Sequence, residues 1–125
     1  MQSCLVIDEY SVIRKIAWRI LSQMGFTTDV AETIEKAEAE LDAGSLPDIV
    51  IVSATLPECA VEEAIRRIRA HPNAQGAVIL ASLVQANLGL MTRSKRAGAV
   101  GFVYRPFDRR CLEEWLQPYR RVSSF

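Results

Sequence analysis

The sequence predicts an α/β fold: one parallel β-sheet with helices packed on both of its faces. Four short segments are near-continuously apolar, as strands covered on both sides must be. The stretches between them carry apolar residues at helical spacing. A chain of 125 residues is the size of one domain, with no room for a core plus a separate effector module. Five strands alternating with five helices in so short a chain imply right-handed crossovers between parallel strands.

The first strand is read at residues 4–7 (CLVI). Ile13, Ile16, Ala17, Ile20, Leu21 and Met24 then recur three and four apart, with Gly25 placed to close the helix. A weaker run at 27–30 (TTDV) suits an edge strand, and Ile34, Ala37 and Leu41 form the next stripe, up to Gly44. The third strand is read at 48–52 (DIVIV), followed by Val61, Ala64, Ile65 and Ile68 ahead of His71-Pro72. The fourth is read at 77–81 (AVILA), with a less regular stripe of Leu90, Met91 and Ala97 that stops at Gly98. The fifth is read at 100–104 (VGFVY), and Leu112, Trp115, Leu116 and Tyr119 make the last helix behind Asp108 as N-cap.

Half the residues are apolar and about a quarter charged, the balance of an ordinary globular protein. The 15 basic and 15 acidic side chains cancel, so no global charge draws the chain to nucleic acid or membrane. No apolar run approaches the roughly 20 residues of a membrane span, and MQSCLVIDE lacks a leader's basic start and cleavage site. A cytoplasmic protein is expected. Cys4, Cys59 and Cys111 are odd in number and lack C-x-x-C spacing, so they are read as reduced thiols. Without repeats or linkers, residues 1–125 are read as a single domain.

In such a sheet the residues just past the carboxyl ends of the strands share one crevice. Asp8 and Glu9 follow the first strand, Ser53 ends the third, Ser82 stands near the end of the fourth, and Arg105-Pro106-Phe107 follow the fifth. Adjacent carboxylates suit Mg²⁺, which often takes one or two of them and completes its shell with water and phosphate oxygens. Alone, an Asp-Glu pair fits a solvated strand terminus equally well. The joint arrangement says more. Asp8-Glu9 behind an apolar strand, PDIVIVSATLP with its proline four residues past the serine, AGAVGFVYRPF and the terminal amphipathic helix together resemble the receiver domain of two-component response regulators, over about residues 3–121.

That resemblance implies a flavodoxin-like (βα)5 sheet in the order 2-1-3-4-5. It also implies a phosphorylation pocket, with the acidic pair at Asp8 and Glu9 and the phosphoacceptor position at Ser53. The Thr/Ser position falls at Ser82, with Ala81 and Leu83 as alternatives; the switch aromatic is Phe102, and Arg105 stands at the lysine position. Arg105-Pro106 resembles the family's Lys-Pro peptide, which is usually cis.

Two departures from that pattern shape the expected function. A receiver takes its phosphoryl group onto an ionised carboxylate, whereas a serine hydroxyl is neutral and weak unless a base activates it. The single histidine, His71, lies in a turn away from the strand ends, and Glu9 beside Mg²⁺ would be a poor base. Losing the aspartate also removes a metal ligand, and arginine offers a planar, permanently charged fork in place of lysine's compact charge. Arg105 is expected to pair with Asp8 or Glu9 and fill the metal's space. No catalytic residue, enzymatic activity or cofactor is therefore expected, with Mg²⁺ only weak at Asp8 and Glu9. The function expected is that of an atypical receiver acting by phosphorylation-independent protein contact. Two alternatives remain open: a receiver still binding Mg²⁺ and phosphorylated at a non-standard site, and one sensing a cyclic dinucleotide.

Basic residues crowd the second half of the chain, and Glu32, Glu35, Glu38, Glu40 and Asp42 make the second helix acidic. Solvated helix faces account for both patterns. The sharper reading is an electropositive docking face of Arg109, Arg110, Arg120 and Arg121, anchored by Trp115, a residue type favoured in interface hot spots. In the family this region is the usual surface for effectors and dimer partners. The resemblance thus implies a histidine kinase, a phosphotransfer protein or another receiver as partner, or a homodimer through the helix four to helix five face. DNA is not expected, since no helix-turn-helix pattern is present. Trp18 and Trp115, at helical spacing, read as core.

Overall fold

A computed structural model describes residues 2–120. Strand β1 (Ser3–Ile7) leads to helix α1 (Ser11–Gln23), β2 (Thr27–Ala31) to α2 (Ile34–Asp42), and β3 (Ile49–Ser53) to α3 (Val61–Ala70). β4 (Val78–Leu83) leads to α4 (Leu88–Ala97), and β5 (Gly101–Tyr104) to α5 (Arg109–Leu116). All strand pairs are parallel, in the order β2-β1-β3-β4-β5, as the family resemblance implies. No helix among the described residues is long and apolar enough to cross a membrane.

The continuous apolar runs follow from burial on both faces. Leu5, Ile7, Val50, Val52, Ile79 and Ala81 pack with Ile34, Leu41, Ile65 and Ile68 on the side of α2, α3 and α4. Their neighbours Cys4, Val6, Ile49, Ile51, Leu80 and Val103 pack with Ala17, Leu21, Leu112 and Leu116 of α1 and α5. A strand buried this way has no polar side to alternate with, since successive side chains point to opposite faces.

Helix ends follow from local chemistry. Thr33, Asn87 and Asp108 accept the backbone N–H three residues on and cap α2, α4 and α5. α1 and α3 start at Tyr10 and Ala60 with no side-chain cap. Gly98, at φ +127°, turns the chain out of α4 where a side chain would be strained.

Several boundaries differ from the sequence reading, most of them by a single residue. β4 runs on to Leu83, so Ser82 lies inside the strand, and β5 begins at Gly101. The last helix stops at Leu116 and tightens into a 3₁₀ turn over Gln117–Tyr119, because Pro118 cannot donate the next helical hydrogen bond. The expectation that Trp18 belongs to the core is corrected: it is 53 % exposed. β2 is the edge of the sheet. α1 buries Ala17 and Leu21, and the helix surface carrying Trp18 overhangs that open edge.

Candidate functional site

Parallel strands deliver their ends to one side, and the loops after β1, β3 and β5 there bring Asp8, Glu9, Ser53, Thr55 and Arg105 into one hydrogen-bonded cluster. Asp8 is buried; its Oδ1 accepts the Tyr10 N–H at 2.9 Å and its Oδ2 accepts Arg105 Nη1 at 3.2 Å. The same Nη1 lies 3.6 Å from Glu9 Oε1. Ser53, fully buried at the end of β3, donates to Glu9 Oε1 at 2.7 Å. Thr55 donates to Glu9 Oε2 at 2.6 Å and accepts from Arg105 Nη2 at 2.9 Å. With both hydroxyl protons directed at Glu9, the 3.2 Å contact between the two hydroxyl oxygens has no proton left to share. Arg105 itself is buried, reaches the Ser82 carbonyl at 3.4 Å, and is followed by a cis peptide to Pro106.

Thr55 was missed by the sequence reading, which stopped at the strand-end serine. The signal was there: Ser53-x-Thr55 forms a local turn in which the Thr55 N–H donates to Ser53 Oγ at 3.2 Å. That bond holds the exposed Thr55 over the crevice.

The two carboxylates are held at opposite poise. Burial pushes Asp8 above its ordinary value, and the Tyr10 N–H and the Arg105 charge offset this only in part. Burial works on Glu9 in the same sense but is outweighed by the hydroxyls of Thr55 and Ser53 and by Arg105, so its carboxyl sits below the ordinary range. A carboxylate so stabilised is a poor proton acceptor for the serine that touches it.

The donor set does not fit Mg²⁺ as arranged. Arg105 supplies the positive charge between the two carboxylates, and their oxygens are occupied by the guanidinium, two hydroxyls and a backbone N–H. Among the described residues no cluster of three or more His, Cys, Asp or Glu is placed to hold a metal.

Ser82 and Phe102 lie on opposite faces of the sheet. Ser82 is in register with Ser53 and Val103, on the α1 and α5 side, and its buried hydroxyl makes no hydrogen bond within the described protein. Phe102 and Tyr104 pack on the other side with Ala81 and Leu83. A hydroxyl on the Phe102 side would have to stand at position 81 or 83, where the chain has alanine and leucine.

Among the described residues, the arginines expected to form an electropositive face each have a partner. Arg109 and Arg110 each pair with a glutamate four residues on, Glu113 at 2.9 Å and Glu114 at 3.5 Å. Arg120 turns inward, donating to the Met24 carbonyl at 2.7 Å and lying over Phe26. Trp115 is half-buried with its ring edge-on to Tyr104, centroids 5.7 Å apart. Arg121 lies outside the described residues.

A family model described as the response regulator receiver domain matches residues 4–117. Chemotaxis protein CheY of Pseudomonas aeruginosa is 25% identical over 122 residues, covering 96% of this chain and 98% of its own. Chemotaxis protein CheY1 of Helicobacter pylori is 26% identical over 115 residues, covering 90% and 92%. Among solved structures, chemotaxis protein CheY4 of Vibrio cholerae superposes with a TM-score of 0.88 at 22% identity, over 96% of this chain and 99% of that one. The receiver domain of a Pseudomonas aeruginosa sensor histidine kinase, solved with a magnesium ion coordinated in its active site cleft, gives 0.80 at 23% identity over 94% and 96%.

Proposed function

Because this chain belongs to the response regulator receiver domain family, we propose that it is an atypical receiver of two-component signalling that works by protein contact and not by accepting a phosphoryl group. The observation that carries this reading is the buried Arg105 guanidinium between Asp8 and Glu9, with Ser53 tied to Glu9 beside it. In this reading the crevice is closed by its own cation, needs no Mg²⁺, and carries no catalysis. Ser53 occupies the acceptor position without being an acceptor: its hydroxyl is neutral, fully buried, and bonded to a carboxylate too stabilised to take its proton.

The scaffold around the crevice is complete, so the surface is what remains to act. A cytoplasmic histidine kinase, phosphotransfer protein or second receiver is the partner class that such a surface fits. The chain would occupy it without drawing off phosphate.

One observation favours a second reading. A 2.7 Å hydrogen bond from Ser53 to Glu9 is also the geometry of a base-activated serine nucleophile. Intact mass after incubation with Mg²⁺ and acetyl phosphate separates the two. No phosphoryl adduct on the natural protein is expected; a stoichiometric adduct that disappears in Ser53→Ala would establish the second reading and overturn the first.

A further inference from the structure

A second site lies on the outer surface of α1, where the helix overhangs the edge strand β2. Ser11, Arg14, Lys15, Trp18, Arg19 and Val30 line a groove there of about 490 Å³, within the size range of small-ligand sites. α1 holds three basic residues and no acidic one, and all three line this groove. Neither Lys15 nor Arg19 forms an ion pair with any described residue, unlike Arg109 and Arg110 of α5. Arg14 is fixed from behind by its Nη1 hydrogen bond to the Asp8 carbonyl at 2.8 Å. Trp18 is half-exposed, and no ring or cation of the described residues stacks on it.

An uncovered indole beside three cations with no carboxylate in the lining combines two recognition elements. The indole face is a platform for a planar ring. The arginine forks and the lysine ammonium suit phosphate oxygens. An adjoining groove, across Arg14, carries Glu32 and Glu40 with Lys36, so the anionic end of a ligand is directed to Lys15 and Arg19. We propose that this groove binds a nucleotide, its base stacked on Trp18 and its phosphates held by Arg14, Lys15 and Arg19. The proposal is independent of whether Ser53 takes a phosphoryl group.

The test is titration of the full chain with adenosine diphosphate at low salt, read by tryptophan fluorescence in a Trp115→Phe variant so that Trp18 is the only reporter. Saturable quenching is expected. Lys15→Glu with Arg19→Glu should weaken it at least about tenfold, as loss of charge-assisted contacts implies. Followed by calorimetry, Trp18→Leu should weaken binding of the nucleotide while leaving binding of inorganic pyrophosphate unchanged. All substituted side chains but Trp115 line an open groove, and a thermal melt checks each fold. No saturable signal, or binding indifferent to these substitutions, overturns the proposal. Overturning it equally would be an oligoglutamate peptide that binds where the nucleotide does not, which would mark the groove as a contact for an acidic protein.

Discussion

Glu9 shows how far one side chain's state is set by its neighbours. Its bonds to Ser53 and Thr55 and its approach to Arg105 all favour the ionised form and outweigh the burial that opposes it. Because its folded pKa lies below the unfolded one, its stabilising contribution is present above the ordinary glutamate value and is lost as pH falls through the lowered one. Asp8 runs the other way: its raised pKa makes its contribution present at low pH and lost as pH rises through that value. Part of the rise at Asp8 comes from the Glu9 charge, so a Glu9→Gln variant also eases Asp8, which offsets some of the loss at neutral pH. Urea unfolding should find Glu9→Gln less stable by about 1–3 kcal/mol at neutral pH, as expected for hydrogen bonds to a charged group, with the gap narrowing in acid. A gap that does not change with pH would mean the contacts hold Glu9 by shape and not by charge. Little of this could be read from sequence. Asp8, Glu9, Ser53 and Arg105 were legible as strand-end residues, but Thr55 enters through a turn that folds back, and the poise of each carboxylate depends on burial.

At the scale of elements, legibility tracked the strength of the local pattern. Strands buried on both faces announce themselves as unbroken apolar runs, and Gly98 marks the end of α4 because only glycine is at ease at its φ. The parity of β4 was less legible. One residue decides whether a hydroxyl faces α5 or Phe102, and spacing alone left Ala81, Ser82 and Leu83 open. Trp18 was misplaced because helical periodicity identifies a helix without saying where the sheet beneath it ends. Arg120 was misplaced because a long cation can turn back over an aromatic ring. The uncapped start of α3 yields a direct prediction. Ala60 is exposed and extended at the N-cap, and Glu63 stands three residues on. Ala60→Ser would complete a capping box, adding about 1 kcal/mol and raising the melting temperature by about 3–5 °C. Calorimetry showing no rise would mean that the Ala60 turn cannot present a hydroxyl to the Glu63 N–H.

Over the whole molecule, the sheet order is that of a receiver, and the crevice at the strand ends is built around an internal ion pair. If the crevice takes no phosphoryl group, as proposed, the packed scaffold beneath it is still in place, and installing that chemistry should need few changes. Installing it should nonetheless need more than one. In Ser53→Asp alone, the new carboxylate would enter a buried cluster that already holds Arg105, 3.2 Å from Asp8 and 3.6 Å from Glu9, and would be drawn into that ion pair. The guanidinium is permanently charged and too broad to share the space with a hydrated cation. Adding Arg105→Lys replaces the fork with a point charge on a flexible stem and frees oxygens on Asp8 and Glu9 for a metal. With acetyl phosphate and Mg²⁺, intact mass should therefore show little adduct on the natural protein or on Ser53→Asp, and a clear Mg²⁺-dependent adduct on the double variant. An adduct on Ser53→Asp as large as on the double variant would mean that the serine alone silences the crevice and that Arg105 gives way to a metal.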